Sequence, residues 1–123
     1  MSHALETLAG VPVWLCDPEG PPLDSERAAT DIIGDTFGSG VELVVIPVQR
    51  LGPEFLTLST RLAGEVIQKF VNYRLRLVFV GDITSAVAAS DALRDFVRES
   101  NRGRHVWFVA DMAELEAKLS AAA

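Results

Sequence analysis

The order of apolar and polar positions predicts strands and helices that alternate along most of the chain. Two short segments, ALETLAG and VPVWLCD, meet at Ala9-Gly10, and this arrangement predicts a β-hairpin. Apolar residues at helical spacing then follow Asp24, the expected N-cap, and predict a helix that ends at Gly38 or Gly40. The run VELVVIPV is nearly continuous and apolar, which is typical of a strand that is covered on both faces.

Strands and helices continue to alternate through the second half of the chain. Pro53 occupies the first position of a short helical turn, and a longer helix is predicted over about residues 60–73. The run RLRLVFVG predicts a strand, SAVAASDALRDFVRES predicts a helix that ends at Asn101 or Gly103, and HVWFVA predicts the last strand. Because the connections are short, right-handed crossovers and a mostly parallel sheet are expected.

The final helix and the composition complete the prediction of one domain. Asp111 and Glu114 form a capping pattern before the last helix, and the Ala-rich end, residues 118–123, is expected to fray. The chain has 123 residues, of which 49% are apolar and 23% charged, as in one globular domain over residues 1–123. The predicted fold is therefore α/β, with an N-terminal hairpin, about five strands in a mixed sheet and four helices.

The beginning of the chain lacks the basic residues and the long apolar run of a signal peptide. No segment approaches the roughly 18 apolar residues of a membrane-spanning helix. With a single cysteine and no export signal, we expect a cytoplasmic protein that does not bind membranes. The net charge of −6 also argues against binding of nucleic acid by bulk attraction.

The charges are unevenly distributed. Residues 1–60 carry nine acidic and two basic side chains, whereas residues 61–104 carry eight basic and five acidic ones. Arg94, Arg98 and Arg102 recur every four residues with acids between them. This spacing predicts either ion pairs along a solvated helix face or an anion-binding face. A local anion site within residues 61–104 is thus compatible with the acidic total.

The sequence contains no recognisable nucleophile, metal or cofactor constellation. Cys16 lies in a predicted strand, where a buried and inert thiol is expected. His3 and His105 have no Cys or His at ligand spacing, so neither a metal nor a cofactor is predicted. Nucleotide-binding loops are missing, since Gly38-Ser39-Gly40 precedes a strand.

Three acids nevertheless follow predicted strands, namely Asp17, Asp82 and Asp111. The carboxyl ends of parallel strands are where α/β sheets usually bind ligands. These acids therefore predict either a cluster in a small enzyme or ligand-binding domain, or simple turn and N-cap residues.

The helix predicted over 60–73 is the most informative segment. Arg61, Glu65, Gln68 and Asn72 lie at offsets of four, three and four residues and form one polar stripe opposite an apolar face. The stripe is either a solvated surface or a recognition surface for an unidentified protein partner. A second copy of the chain would serve equally well as the partner, so a homodimer is also compatible with it.

Ser59 and Thr60 lie where this helix begins. One interpretation is that they cap the helix. The other is that one of them is a phosphorylation switch, because a helix N-terminus stabilises a phosphate dianion.

The run LAGE-x-x-QKF-x-NYR, with SDALRDFVRESNRGRHVWFV after it, resembles a bacterial family called domain of unknown function 4180. The resemblance covers almost the whole chain and implies a bacterial protein, but it implies no activity because the family has none assigned. The sequence departs from the family at Arg61, where glycine is favoured, and at Ser59, where a basic residue is usual. The departure at Ser59 makes Thr60 the better switch candidate.

At a coarser level, the order of elements is similar to that of STAS domains, the fold of anti-sigma-factor antagonists. Those domains carry a phosphorylatable Ser or Thr at the start of the second helix, which corresponds to Ser59-Thr60 here. The customary Asp-Ser-Ser-Gly is missing. A shared fold does not by itself imply a shared function. The leading hypothesis is a non-catalytic regulatory or interaction module, and the small enzyme or ligand-binding domain is the alternative.

Overall fold

Ala9 and Gly10 both have positive φ angles, 49° and 82°, and together they form the turn of an N-terminal hairpin. This turn suits the right-handed twist of the strands that it joins, and it explains the glycine. The strands are β1 (Ala4–Leu8) and β2 (Val11–Leu15), with Leu8 opposite Val11. The structure, a computed structural model, describes residues 3–122, and the predicted hairpin is confirmed.

Three more strands extend this hairpin into a five-stranded mixed sheet. They are β3 (Leu43–Pro47), β4 (Arg76–Val80) and β5 (Val106–Val109). The strands lie in the order β1-β2-β3-β4-β5; β1 is antiparallel to β2, and the other neighbours are parallel. The predicted α/β class with a mixed sheet of five strands is therefore confirmed.

Six helices connect and cover these strands within residues 3–122. Four of them are long: α1 (Glu26–Thr36), α3 (Leu62–Asn72), α5 (Asp91–Arg102) and α6 (Met112–Ala122). The other two are short: α2 (Pro53–Leu56) and α4 (Thr84–Ala89). The four long helices correspond to the four that the sequence predicts.

Several predicted helix boundaries are wrong by one to a few residues. The N-cap of α1 is Ser25 and not Asp24, because the Ser25 side chain accepts a hydrogen bond from the N–H of Ala28 at 3.1 Å. The segment predicted as one helix is divided at Ser90, whose hydroxyl accepts from the N–H of Leu93 and caps α5.

The helix α6 begins at the capping pattern that the sequence predicts. Asp111 accepts a hydrogen bond from the N–H of Glu114, and Glu114 accepts one from the N–H of Ala110, so the predicted capping pattern is present. The helix continues to Ala122, and Ala123 lies outside the described residues. None of the helices within residues 3–122 has the length and apolar character needed to cross a membrane.

The sheet is covered on both faces. From β2 to β5, each new strand is added on the same side of the strand before it. Right-handed crossovers therefore place α1, α3 and α5 on one face of the sheet. That face buries a core in which the ring of Phe79 stacks on Phe108 and meets the ring of Phe55 edge to face. On the other face, Leu115 and Leu119 of α6 pack against strand residues. The helix α3 thus lies beside α1 and turns its polar side to solvent.

The arginine series of α5 is neutralised within its own helix. Arg94 pairs with Asp91 and Asp95 at 3.3 and 3.6 Å. Arg98 and Arg102 pair in the same way with the acids three residues before them, Asp95 and Glu99. Of the two interpretations of this series, the structure supports ion pairs along a solvated face.

Candidate interaction groove

The helix α3 begins after a tight turn whose residues set its direction. Arg61 is the N-cap and has a left-handed backbone, with φ at 67°. Its side chain makes no capping hydrogen bond. A short 3-10 turn over Leu58–Thr60 precedes it. The predicted helix over 60–73 is therefore confirmed as a helix, but its regular part begins at Leu62.

The polar stripe of α3 lines one shallow groove of about 610 Å³. All four predicted residues, Arg61, Glu65, Gln68 and Asn72, belong to it. The remaining lining residues within 3–122 are Glu26, Leu58, Gly64, Lys69 and Phe96. We call this surface the α3 groove. It extends from the side of α1, at Glu26, to the side of α5, at Phe96.

Two polar contacts organise the side chains of the α3 groove. Gln68 Nε2 donates a hydrogen bond to Asn72 Oδ1 at 2.8 Å, which aligns the two amides along the helix. Lys69 Nζ lies 3.4 Å from Glu26 Oε1 and joins α3 to α1. Both contacts are exposed, so each contributes little to stability. They do hold the polar groups in a defined arrangement.

Gly64 leaves the middle of the α3 groove open. It is exposed on the helix, and a Cβ atom at this position would have no neighbouring atom within 4 Å. Glycine within a helix costs about 0.5–1 kcal/mol relative to alanine. Packing within the described chain does not require a glycine here.

Thr60 is held by several hydrogen bonds at the entrance to the helix. Its hydroxyl lies 2.8 Å from both the Glu54 and the Thr57 carbonyl oxygens, to which it donates, and it accepts from the N–H of Leu62 at 3.3 Å. The Ser59 hydroxyl forms no hydrogen bond with a described residue, and Ser59 is exposed. The contact with Leu62 is of the kind that the capping interpretation expects.

The three acids that follow strands lie in different places. Asp82 accepts hydrogen bonds from the N–H and the hydroxyl of Thr84, which hold the pKa of Asp82 below its usual range. Asp82 also lines an open cavity of about 660 Å³ beside Arg94. Asp111 caps α6. Within residues 3–122, no three His, Cys, Asp or Glu side chains are close enough together to hold a metal ion.

Asp17 lines a separate cavity of about 290 Å³ near the carboxyl ends of β2 and β3. Trp14 and Cys16 also line it, and the ring of His3 stacks on Trp14 with centroids 4.0 Å apart. Asp31 and Asp35 of α1 contribute two further carboxylates to its lining. We call this space the Trp14 cavity.

Arg50, which the sequence analysis did not single out, is the buried charge of the Trp14 cavity. Its Nε and Nη1 donate to the carbonyl oxygens of Pro21 and Asp17 at 2.9 and 3.3 Å. Gly20 packs so closely on the guanidinium that a Cβ there would lie 2.8 Å from Cζ. Two features of the sequence could have indicated Arg50: it is one of two basic residues among residues 1–60, and it follows a strand predicted to be buried.

Cys16 is buried, as predicted. Burial raises the pKa of its thiol to about 11, although the nearby Arg50 acts in the opposite direction. The thiol is therefore protonated at neutral pH and is a poor nucleophile.

Comparison with known proteins identifies a family. No curated protein and no solved structure matches the chain, so the similarity to STAS domains stays a prediction from the order of elements. The model of one family, described as "Domain of unknown function (DUF4180)", matches residues 8–119. The matched range includes the entire α3 groove and all five strands except the first residues of β1. The chain thus belongs to the DUF4180 family.

Proposed function

We propose that this domain is a non-catalytic, cytoplasmic regulatory module that binds an extended segment of a protein partner in the α3 groove. The observation that carries the proposal is the groove itself, in which four predicted recognition residues surround the exposed Gly64. Gly64, Glu65, Gln68, Lys69 and Asn72 also lie within the run by which the sequence resembles its family.

The paired amides suit a peptide backbone as ligand. Because Gln68 Nε2 donates to Asn72 Oδ1, the Gln68 carbonyl oxygen and the Asn72 Nδ2 group keep acceptor and donor capacity for a partner. An acceptor beside a donor matches the N–H and C=O groups of an extended chain. This chemistry favours a polypeptide over a compact anion or cation.

The charges of the groove add selectivity for the partner's side chains. Lys69 is paired with Glu26, whereas Arg61 and Glu65 form no ion pair with any described residue. A partner segment with a basic side chain near Glu65 and an acidic one near Arg61 would complement both charges. Such contacts at an exposed rim contribute more to selectivity and association rate than to affinity.

Gly64 supports a binding role because its missing side chain keeps space above the helix. A partner backbone can approach the helix more closely at Gly64 than at a position with a larger side chain. Gly64→Ala should stabilise α3, since nothing in the described chain obstructs the methyl group. The same methyl group would occupy part of the space that the partner uses, so stability and binding should change in opposite directions.

The test is quantitative affinity capture from the source bacterium with the wild-type chain, Gly64→Ala, and the double variant Glu65→Ala/Asn72→Ala. Gly34→Ala, at an exposed and open position of α1, is the matched control. We expect a partner that the wild type and the control capture and that the two groove variants lose. The segment of that partner should then bind purified wild-type protein in calorimetry. An unchanged partner list for all four proteins would contradict the proposal.

A second copy of the chain is the other polypeptide to be considered. Analytical ultracentrifugation of the same proteins distinguishes it from a different partner. A dimer that dissociates in Glu65→Ala/Asn72→Ala but persists in Gly34→Ala would assign the groove to self-association.

A small enzyme or ligand-binding domain is the second candidate function, and the Trp14 cavity favours it. This cavity lies near the carboxyl ends of two parallel strands and combines an aromatic wall, a buried guanidinium and three carboxylates, two of them from α1. Native mass spectrometry of protein from its own source tests this candidate. A co-purifying small molecule that Arg50→Lys releases would support it, and a bare chain mass in every preparation would count against it.

A further inference from the structure

We propose that a second site, at the amino ends of β4 and β5, binds the phosphate group of a small phosphorylated molecule. The site is a cavity of about 360 Å³. Its described lining residues are Val71, Arg74, Leu75, Arg76, Arg104 and His105. We call it the arginine cavity. Three arginines and a histidine line it, and none of its described lining residues is acidic.

These arginines differ from those of α5 in their charge environment. Arg94, Arg98 and Arg102 are each within 4 Å of a carboxylate. By contrast, none of the three arginines of the cavity forms an ion pair with a described residue. No described carboxylate therefore lies within 4 Å of these three arginines, although the net charge of the protein is −6.

The surroundings of Arg76 disfavour its positive charge. Burial lowers the pKa of Arg76, and the charge of Arg104 lowers it further. Glu42 is the acid that acts on Arg76 in the opposite direction, and its effect is smaller. An anion bound between Arg76 and Arg104 would relieve their mutual repulsion.

The guanidinium of Arg76 is held in place for such a ligand. Its Nε donates to the carbonyl oxygen of Arg104 at 2.7 Å, and its Cζ lies 4.7 Å from the ring centroid of Trp107. These contacts fix the plane of the group while both terminal nitrogens keep donor capacity. With Nε engaged, the edge formed by the two terminal nitrogens stays free, and such an edge is suited to bidentate contacts with phosphate oxygens.

Arg74 contributes charge at a position where the backbone disfavours it. Its φ of 59° is left-handed, a conformation in which glycine is preferred. The chain nevertheless has an arginine there, next to the other cations. A small ligand with one or two phosphate groups fits a cavity of this volume.

The test is calorimetric titration of the full chain with inorganic phosphate, inorganic pyrophosphate and ADP at low salt. Arg104→Gln removes one charge but keeps the carbonyl that holds Arg76. Arg98→Gln is the control, since it removes an arginine that is already paired. We expect Arg104→Gln to weaken pyrophosphate binding about tenfold or more and Arg98→Gln to change it less than about twofold.

Arg74→Gly distinguishes a loss of binding from a loss of stability. It relieves the left-handed strain, so the melting temperature should rise, while pyrophosphate affinity should fall about tenfold. ADP that binds tighter than pyrophosphate would indicate a nucleotide, and equal affinities would indicate recognition of the phosphates alone. Both outcomes support the site.

Three results would overturn the proposal. One is no detectable binding of any of these phosphates to the wild type at millimolar concentration. Another is an equal loss of affinity in Arg98→Gln and Arg104→Gln. The third is a single-stranded RNA oligonucleotide that binds far more tightly than every small phosphate, which would assign the cavity to nucleic acid.

Discussion

The side chain of Asn101 forms two hydrogen bonds with the backbone of Phe108. The N–H of Phe108 donates to Asn101 Oδ1 at 2.7 Å, and Asn101 Nδ2 donates to the Phe108 carbonyl at 3.2 Å. Phe108 lies in β5, the last strand of the described sheet, so these groups have no neighbouring strand to bind. Asn101 takes the place of that strand and covers the sheet edge.

Asn101→Ala should lower the free energy of unfolding by about 2–3 kcal/mol, because it leaves two partly buried backbone groups without partners. Asn72→Ala, an exposed asparagine of α3, should change it by less than about 0.5 kcal/mol. Urea denaturation followed by circular dichroism measures both. Equal effects of the two substitutions would show that Asn101 does not hold the edge strand.

Arg61→Gly should stabilise the protein by about 1 kcal/mol, since glycine adopts the left-handed conformation of this N-cap without strain. Arg61→Ala removes the same side chain but keeps the strain, so its free energy of unfolding should stay within about 0.5 kcal/mol of the wild type. Thermal denaturation of the three proteins compares them. If the glycine variant is no more stable than the alanine variant, the left-handed conformation at position 61 is not strained.

Gly81→Ala should lower the free energy of unfolding by about 3 kcal/mol or more. A Cβ at Gly81 would lie 2.2 Å from Val48 Cγ2, and the φ angle of 142° disfavours any other residue. Gly34→Ala, in an open position of α1, should instead stabilise by about 0.5–1 kcal/mol. Adding Val48→Ala to Gly81→Ala should recover part of the loss; without any recovery, the clash with Val48 is not the cause.

The sheet was predictable because its last three strands are nearly continuous apolar runs. LVVIP, RLVFV and VWFV are covered by α1, α3 and α5 on one face and by α6 on the other, so both sets of alternating side chains are apolar. Helix boundaries were less predictable, because one hydroxyl decides them. Ser25 and Ser90 each cap a helix, yet a periodic pattern of apolar residues runs past Ser90 without a break.

The polar stripe of α3 was predictable because helical periodicity alone places its residues on one face. Glu26 of α1 and Phe96 of α5, which complete the α3 groove, come from other elements and were not predicted. The residues of the predicted acid cluster lie in different surroundings. Asp17 follows β2 and Asp82 follows β4, with β3 between these strands. The two residues line different cavities.

The arginine cavity depends on contacts between distant parts of the chain. Arg74 precedes β4 and Arg76 is its first residue, whereas Arg104 and His105 precede β5. The register that pairs Leu77 with Val106 brings the two segments together. The uneven charge of residues 61–104 indicated an anion site in this region, but only the sheet register identifies its members.

The buried thiol makes stability depend on pH in the alkaline range. The pKa of Cys16 is raised to about 11 in the folded protein, above the value of 9.0 for an exposed thiol. The unfolded chain therefore releases this proton first, so stability is complete below pH 9 and is lost as pH rises towards 11. The loss is up to about 1.4 kcal/mol per pH unit.

Urea denaturation at pH 8 and pH 10 measures this loss, and Cys16→Ala is its reference. The decrease in free energy of unfolding between the two pH values should be larger in the wild type than in the variant. The same decrease in both proteins would assign the pH effect to other groups.

Substitutions can distinguish a structural role of Thr60 from a role as a phosphorylation switch. Its hydroxyl donates to the carbonyls of Glu54 and Thr57, so Thr60→Val should destabilise the protein by about 1–2 kcal/mol, whereas Ser59→Ala should change it by less than about 0.5 kcal/mol. A phosphate on Thr60 would replace the donated proton with a dianion beside two carbonyl oxygens, so we expect it to open the turn before α3. Hydrogen exchange of residues 57–62 in Thr60→Glu should then be faster than in Thr60→Val. Equal protection in both variants, together with intact mass spectra that show no phosphorylated form under any growth condition, would exclude Thr60 as a switch.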